Sequence, residues 1–104
     1  MSADTSESAL LDRFVYPSIA EAGRLLDEGI ASAKDIDLAM RAGAGFGTGP
    51  LEQADDIGLD RVLEKLERLQ INHGDNYAPS ATLRALVSAG HLGKKSGRGF
   101  LEYQ

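Results

Sequence analysis

A chain of 104 residues accommodates one domain with a single core, and its 42% apolar and 26% charged content is that of a globular protein. A formal net charge of -5 without a basic stripe argues against nucleic acid as a partner, and the lack of cysteine excludes a disulfide framework, a thiolate nucleophile and a zinc–thiolate site. No secretory signal opens the sequence and no apolar run is long enough for a membrane span, so a cytoplasmic protein with no membrane partner is expected.

Residues 1–7 read as a flexible polar tail, with Asp4 and Glu7 in capping-box spacing, ahead of a domain covering 8–104. A long helix follows. Leu11, Val15, Ile19, Ala22 and Leu26 fall on one helical face, widened by Leu10, Phe14 and Leu25. Pro17 lies inside this pattern, where it removes a hydrogen bond and crowds the Arg13 carbonyl, so a kink is expected. Gly29 ends the helix. Ser32 and Asp35 form a second capping box, opening a helix whose inward residues are Ile36, Ala39 and Met40 and which stops at Gly43.

Between Gly43 and Gly49 every second residue is glycine, which allows positive φ angles and close approach of another surface. Pro50 then starts a helix, capped by Gly49, with Glu52 in its positively polarised first turn. Two readings stay open: a glycine-rich helix connection, or a functional or interface loop. Gly58 closes this helix, and Asp60 is read as the cap of the next, which runs to about Asn72 with Val62, Leu66 and Leu69 inward and a Glu64–Arg68 pair outside. His73–Ala78 is a loop by composition. Pro79 and Ser80 open a fifth helix bearing Leu83, Leu86 and Val87, closed by Gly90. The glycine-rich remainder reads as an extended C-terminal arm pinned by Phe100 and Tyr103. The fold class is therefore all-α, about five helices with a glycine-rich central loop.

Neither glycine cluster fits a nucleotide-binding motif. In the G-x-G-x-x-G frame the third position falls on Thr48 or Pro50, Gly93–Gly97 lacks P-loop spacing, and no strand precedes either. The tail is read as a basic surface turn. His73 and His91 have no partners at ligand-like helical spacing, so neither a metal site nor histidine acid–base chemistry is expected. Asp55 and Asp56 are read as a solvated face, and Asp12 and Glu21 as surface carboxylates.

Three segments carry a more specific signal. Residues 43–52 read Gly-Ala-Gly-Phe-x-x-Gly-Pro-Leu-Glu, 55–60 read Asp-x-Ile-Gly-Leu-Asp, and 93–103 read Gly-Lys-Lys-Ser-Gly-x-Gly-Phe-x-x-Tyr. With Asp12-Arg13, Pro17, Glu21-Ala22, Gly29 and Asp35-Ile36-Asp37, they closely resemble the C-terminal domain of the L-3-hydroxyacyl-CoA dehydrogenase family. The resemblance spans nearly the whole chain and implies the 6-phosphogluconate-dehydrogenase C-terminal-like fold.

In that family a preceding Rossmann domain binds NAD and carries the catalytic His-Glu pair, while the helical domain closes over acyl-CoA and makes the dimer interface. Neither His73 nor His91 matches the catalytic histidine. The resemblance thus implies no catalytic residue and no cofactor held by this chain alone, with NAD reached through a partner chain. It places Asp12, Gly45, Phe46, Gly49 and Pro50 on the substrate side, and a homodimer interface is expected to use Phe14, Ile19 and Leu26. Asp12 replaces a family asparagine that lies beside the catalytic histidine, exchanging an amide donor and acceptor for an acceptor with a negative charge. Ala20 replaces another frequent asparagine.

The opening residues read as a natural start, so a free-standing second half is expected. It would act with a separate Rossmann NAD-binding subunit on 3-hydroxyacyl-CoA; the alternative is a non-catalytic homodimeric assembly or regulatory module.

Overall fold

A computed structural model describes residues 9–44 and 47–103. The proposed N-terminal tail with its Asp4–Glu7 box, and the candidate residues Gly45 and Phe46, lie outside the described residues. Five α-helices are formed among those described: α1 (Tyr16–Asp27), α2 (Ala33–Ala44), α3 (Pro50–Ile57), α4 (Leu59–His73) and α5 (Ala81–Ser88). Single 3₁₀ turns at Asp75–Tyr77 and Lys94–Ser96 complete them.

The expected Pro17 kink is realised as a π turn. Leu11–Val15 winds wider than an α-helix, and the Tyr16 N–H donates to the Leu11 carbonyl five residues back. Proline cannot donate to the Arg13 carbonyl and its ring would press on it, and the wider turn relieves that crowding. Ser18 Oγ donates to the Phe14 carbonyl at 2.7 Å, recovering one acceptor at the junction.

Gly29, Gly58 and Gly90 end helices as read. At Gly29, φ is 70°, its N–H donates to the Leu26 carbonyl, and the Ile30 N–H reaches back to Leu25, the paired bonds of a Schellman ending. Gly90 and His91 repeat the arrangement on Val87 and Leu86. The second capping box forms, with the Asp35 N–H donating to Ser32 Oγ at 3.1 Å. Two local expectations fail: Ala39 is exposed, and α2 runs through Gly43 to Ala44. Asp60 is not a cap either. Gly58, at φ 107°, is both the last residue after α3 and the N-cap of α4, leaving Asp60 in the first turn, where its carboxylate takes Lys95 Nζ at 2.7 Å.

The core lies between α1, α3, α4 and α5. Ile19, Ala54, Leu59, Val62, Leu66 and Leu83 are at most 1% exposed, each removing an apolar side chain from water. A smaller cluster of Ala22, Ile36 and Leu51 lies beneath α2. Phe100, from the C-terminal arm, packs against both clusters and joins them. Where α1 passes α5, Gly23 sits so close to Ser80 that a Cβ would collide with its side chain.

Candidate functional site

The glycine loop meets the helix at Gly49. Its φ of -79° and ψ of 166° are extended backbone open to any residue, so conformation does not require glycine there. Close approach does: a Cβ on Gly49 would occupy the position of the Asp37 carboxylate. Asp37, buried on α2, accepts from the N–H groups of Leu51 at 2.6 Å and Glu52 at 3.1 Å. Pro50 has no N–H to satisfy. One carboxylate on α2 thus caps α3 from fourteen residues away, at the end where the helix dipole favours negative charge. Burial raises the Asp37 carboxyl above its ordinary value, and the two backbone bonds oppose that rise.

Asp55 repeats the device one helix further on and corrects its reading as a solvated carboxylate. It is 1% exposed and accepts from the Phe100 N–H at 2.9 Å, the Leu101 N–H at 3.0 Å and the Tyr103 hydroxyl at 2.6 Å. Gly93 and Gly99 let the arm close over it, since a Cβ on either would strike Asp55. Burial again raises the Asp55 carboxyl, with Tyr103, Phe100 and Leu101 pulling the other way. Burial and the neighbouring carboxylate together push the Tyr103 phenol up, so it stays a proton donor. Both carboxylates have their oxygens committed to donors within the fold, which makes them structural groups rather than acid–base ones. The arm is therefore pinned by a carboxylate as well as by its aromatics. Its lysines lie at the surface and are paired: Lys94 bridges Glu52 at 3.2 Å and Asp56 at 2.6 Å.

Asp12 occupies a different region. It lies in the π turn, its main-chain carbonyl held by the Tyr77 hydroxyl at 2.6 Å and its carboxylate 3.4 Å from Lys65 Nζ. About a third of that side chain is exposed. Beside it runs an open groove of about 370 Å³ lined by Tyr16, Ile57, Arg61, Glu64, Lys65 and Arg68. Burial raises the Tyr16 phenol, the Asp12 charge adds to this, and Arg61 acts against it.

The candidate residues therefore divide. Gly49 and Pro50 are buried at the head of α3, and Asp12 is tied to α4; among the described residues no hydrogen bond or ion pair joins the two groups. Of the interface candidates, Phe14 is 49% exposed, Leu26 is partly buried against the smaller cluster, and Ile19 is 1% exposed. Ile19 belongs to the main core cluster, on the same face of the chain as Val15. The sequence reading missed Asp37, Asp55 and the groove. Only the acidic residues themselves were visible, since their partners lie 14 to 48 residues away.

A model for the C-terminal domain of 3-hydroxyacyl-CoA dehydrogenase matches residues 10–103. The chain belongs to this family. A probable 3-hydroxybutyryl-CoA dehydrogenase of Bacillus subtilis is 46% identical over 94 residues, which are 89% of this chain and 33% of that protein. The human mitochondrial hydroxyacyl-coenzyme A dehydrogenase is 38% identical over 97 residues, 91% of this chain and 31% of that one. The crystal structure of an (S)-3-hydroxybutyryl-CoA dehydrogenase from Ralstonia eutropha superposes with a TM-score of 0.82 at 42% identity, covering 89% of this chain and 33% of the other. The chain spans about a third of the length of these relatives.

The matched span encloses the glycine loop, the head of α3 and the arm. The devices built on Asp37 and Asp55 thus belong to the 3-hydroxyacyl-CoA dehydrogenase C-terminal domain as this chain folds it. Among the described residues no helix is long and apolar enough to cross a membrane.

Proposed function

We propose that this domain is the substrate-side and dimerisation half of a 3-hydroxyacyl-CoA dehydrogenase. It acts in the cytoplasm with a separate Rossmann chain that carries NAD, and the pair oxidises 3-hydroxyacyl-CoA to 3-oxoacyl-CoA. The observation that carries this reading is the domain's internal completeness: among the described residues every buried side-chain nitrogen and oxygen has a hydrogen-bond partner. A unit so satisfied can present a fixed wall to a second chain. The reading assigns NAD to the other chain. The described residues of this domain form helices and two isolated β-bridges rather than a parallel sheet with a strand-to-helix phosphate loop.

In this pairing Asp12, at the exposed edge of the π turn, faces the substrate, and Lys65 offsets the charge that distinguishes it from an asparagine. Gly49 and Pro50 hold the base of the glycine loop, and Gly45 and Phe46 form its substrate-facing part. The test is affinity capture from native cells with this chain as bait, read by mass spectrometry. A recovered chain with a Rossmann fingerprint and no helical second domain, active with this one on NAD and 3-hydroxyacyl-CoA, is the expected result. Recovery of this chain alone would leave the homodimeric, non-catalytic module as the reading to adopt.

Association through a second copy draws on Leu10 and Phe14, 56% and 49% exposed and four residues apart. Phe14→Asp should halve the mass measured by light scattering while helical circular dichroism is unchanged; a dimer that survives this change rejects the interface.

A further inference from the structure

The groove beside α4 runs against the composition of the chain. The molecule carries a net charge of -5, yet Arg61, Lys65 and Arg68 stand at i, i+4 and i+7 on one flank of α4 and line a single concavity. The inward face of the helix is Leu59, Val62, Leu66 and Leu69, so these cations are surplus to its packing. Their existing partners differ. Arg68 is bonded to Glu64 on its own helix. Lys65 meets Asp12 only at 3.4 Å, longer than a good charge-assisted hydrogen bond. The Arg61 guanidinium has neither an ion pair nor a hydrogen bond among the described residues, and the residue lines the groove. Tyr16 is buried by its ring, but its protonated hydroxyl reaches solvent, makes no hydrogen bond among the described residues and lies within reach of the Arg61 field.

We propose that this groove binds a phosphate-bearing ligand, with the phosphate seated between Arg61 and Lys65 against Tyr16. An arginine with a free planar fork suits the geometry of phosphate oxygens, and a lysine one turn further along supplies a second charge. Tyr16 is only 8% exposed, too little to act as a stacking platform, so recognition is directed at the phosphate rather than at a base. Seating the phosphate draws Lys65 from Asp12, which makes Asp12 a competitor for the same cation. This site does not depend on the pairing with a Rossmann chain.

The test is a titration of the ¹⁵N-labelled chain at low ionic strength with pyrophosphate and, separately, with ADP, followed by amide shifts of residues 61–68. Both probes should saturate. Arg61→Ala and Lys65→Ala should each weaken binding about tenfold, the loss expected for one charge-assisted contact. Asp12→Asn should tighten it several-fold by releasing Lys65, while Lys34→Ala, which removes the same charge on α2, leaves it unchanged. Similar affinity for the two probes supports the phosphate as the recognised group; ADP binding more than about tenfold tighter than pyrophosphate would overturn it, because that preference comes from the nucleoside. Shifts that do not saturate, an Arg61→Ala variant that melts and binds like the parent, or a Lys34→Ala loss as large as that of Arg61→Ala would overturn the proposal.

Discussion

Charged groups are used in two opposite ways in this domain. Around α3, Asp37 and Asp55 are buried, and their oxygens are consumed by backbone N–H groups and a phenol. Along α4, Asp12, Glu64, Lys65 and Arg68 stay at the surface in pairs that solvent screens, and Arg61 has no ion pair among the described residues. A buried carboxylate with several donors fixes geometry, because removing it strands those donors without water. Surface pairs exchange partners at little cost, which suits a place where a ligand or a second chain has to compete for them.

The sharpest way to break the contrast is Asp55→Ala. It strands the Phe100 and Leu101 N–H groups and the Tyr103 hydroxyl, and should cost about 3–5 kcal/mol, read as a fall in the urea midpoint. The arm should also become the first segment to exchange its amide hydrogens. Next comes Gly49→Ala, whose methyl displaces the Asp37 carboxylate from the head of α3. About 1–3 kcal/mol is expected by the same measurement, from overpacking and a disturbed cap. At the other extreme, Arg68→Ala removes a surface i,i+4 partner of Glu64 and should change stability by no more than about 0.5 kcal/mol. If Arg68→Ala cost as much as Gly49→Ala, the division into fixed and exchangeable charges would fail.

Acidity sharpens the comparison between buried Asp37 and Asp55 and exposed Asp27, all of which accept from backbone N–H groups. Burial raises the folded Asp37 and Asp55 carboxyls above the ordinary 3.8. The folded state therefore holds their protons to higher pH than the unfolded chain does. Their linked stabilisation is full below 3.8 and is lost as pH rises through the folded values. Asp27 behaves in the opposite sense. Burial opposes the shift, but bonds from the Thr82 hydroxyl and from the Thr82 and Ala81 N–H groups prevail and lower it. Its contribution is present above 3.8 and disappears as pH falls through the lowered value. Asp55→Asn should flatten the decline on the alkaline side of 3.8, and Asp27→Asn the loss on the acid side, both read from thermal melts across pH. Identical pH profiles for the two variants would contradict the assignment.

Much of the fold was legible because its signals are local. Gly29, Gly58 and Gly90 each stop a helix at positive φ, Ser32 and Ser80 cap the helices that follow them, and the apolar spacing of Val62, Leu66 and Leu69 gives the inward face of α4. The candidate site was much less legible, for a physical reason. Asp27, Asp37 and Asp55 each collect two consecutive backbone N–H groups from a segment 14 to 55 residues away, and nothing in a local window separates such an aspartate from a solvated one. Glycine spacing located the loop, but Gly49 is there for contact with Asp37 rather than for a special φ. The groove was hidden because Arg61, Lys65 and Arg68 read as an ordinary charged helix face until Tyr16 and Ile57 are brought beside them.

The π turn at Leu11–Val15 has a consequence for how this surface can change. A bond reaching five residues back rather than four makes the turn a phase shifter between the core-bound α1 and the residues before it. Removing one residue there rotates the described residues before it by roughly 100° about the helix axis while Ile19 and Ala22 keep their places. Leu10, Asp12 and Phe14 form a dial set by a single hydrogen bond, so the outward-facing chemistry of the domain can be re-aimed at the expense of repacking only the end of the core that Leu11 and Val15 fill.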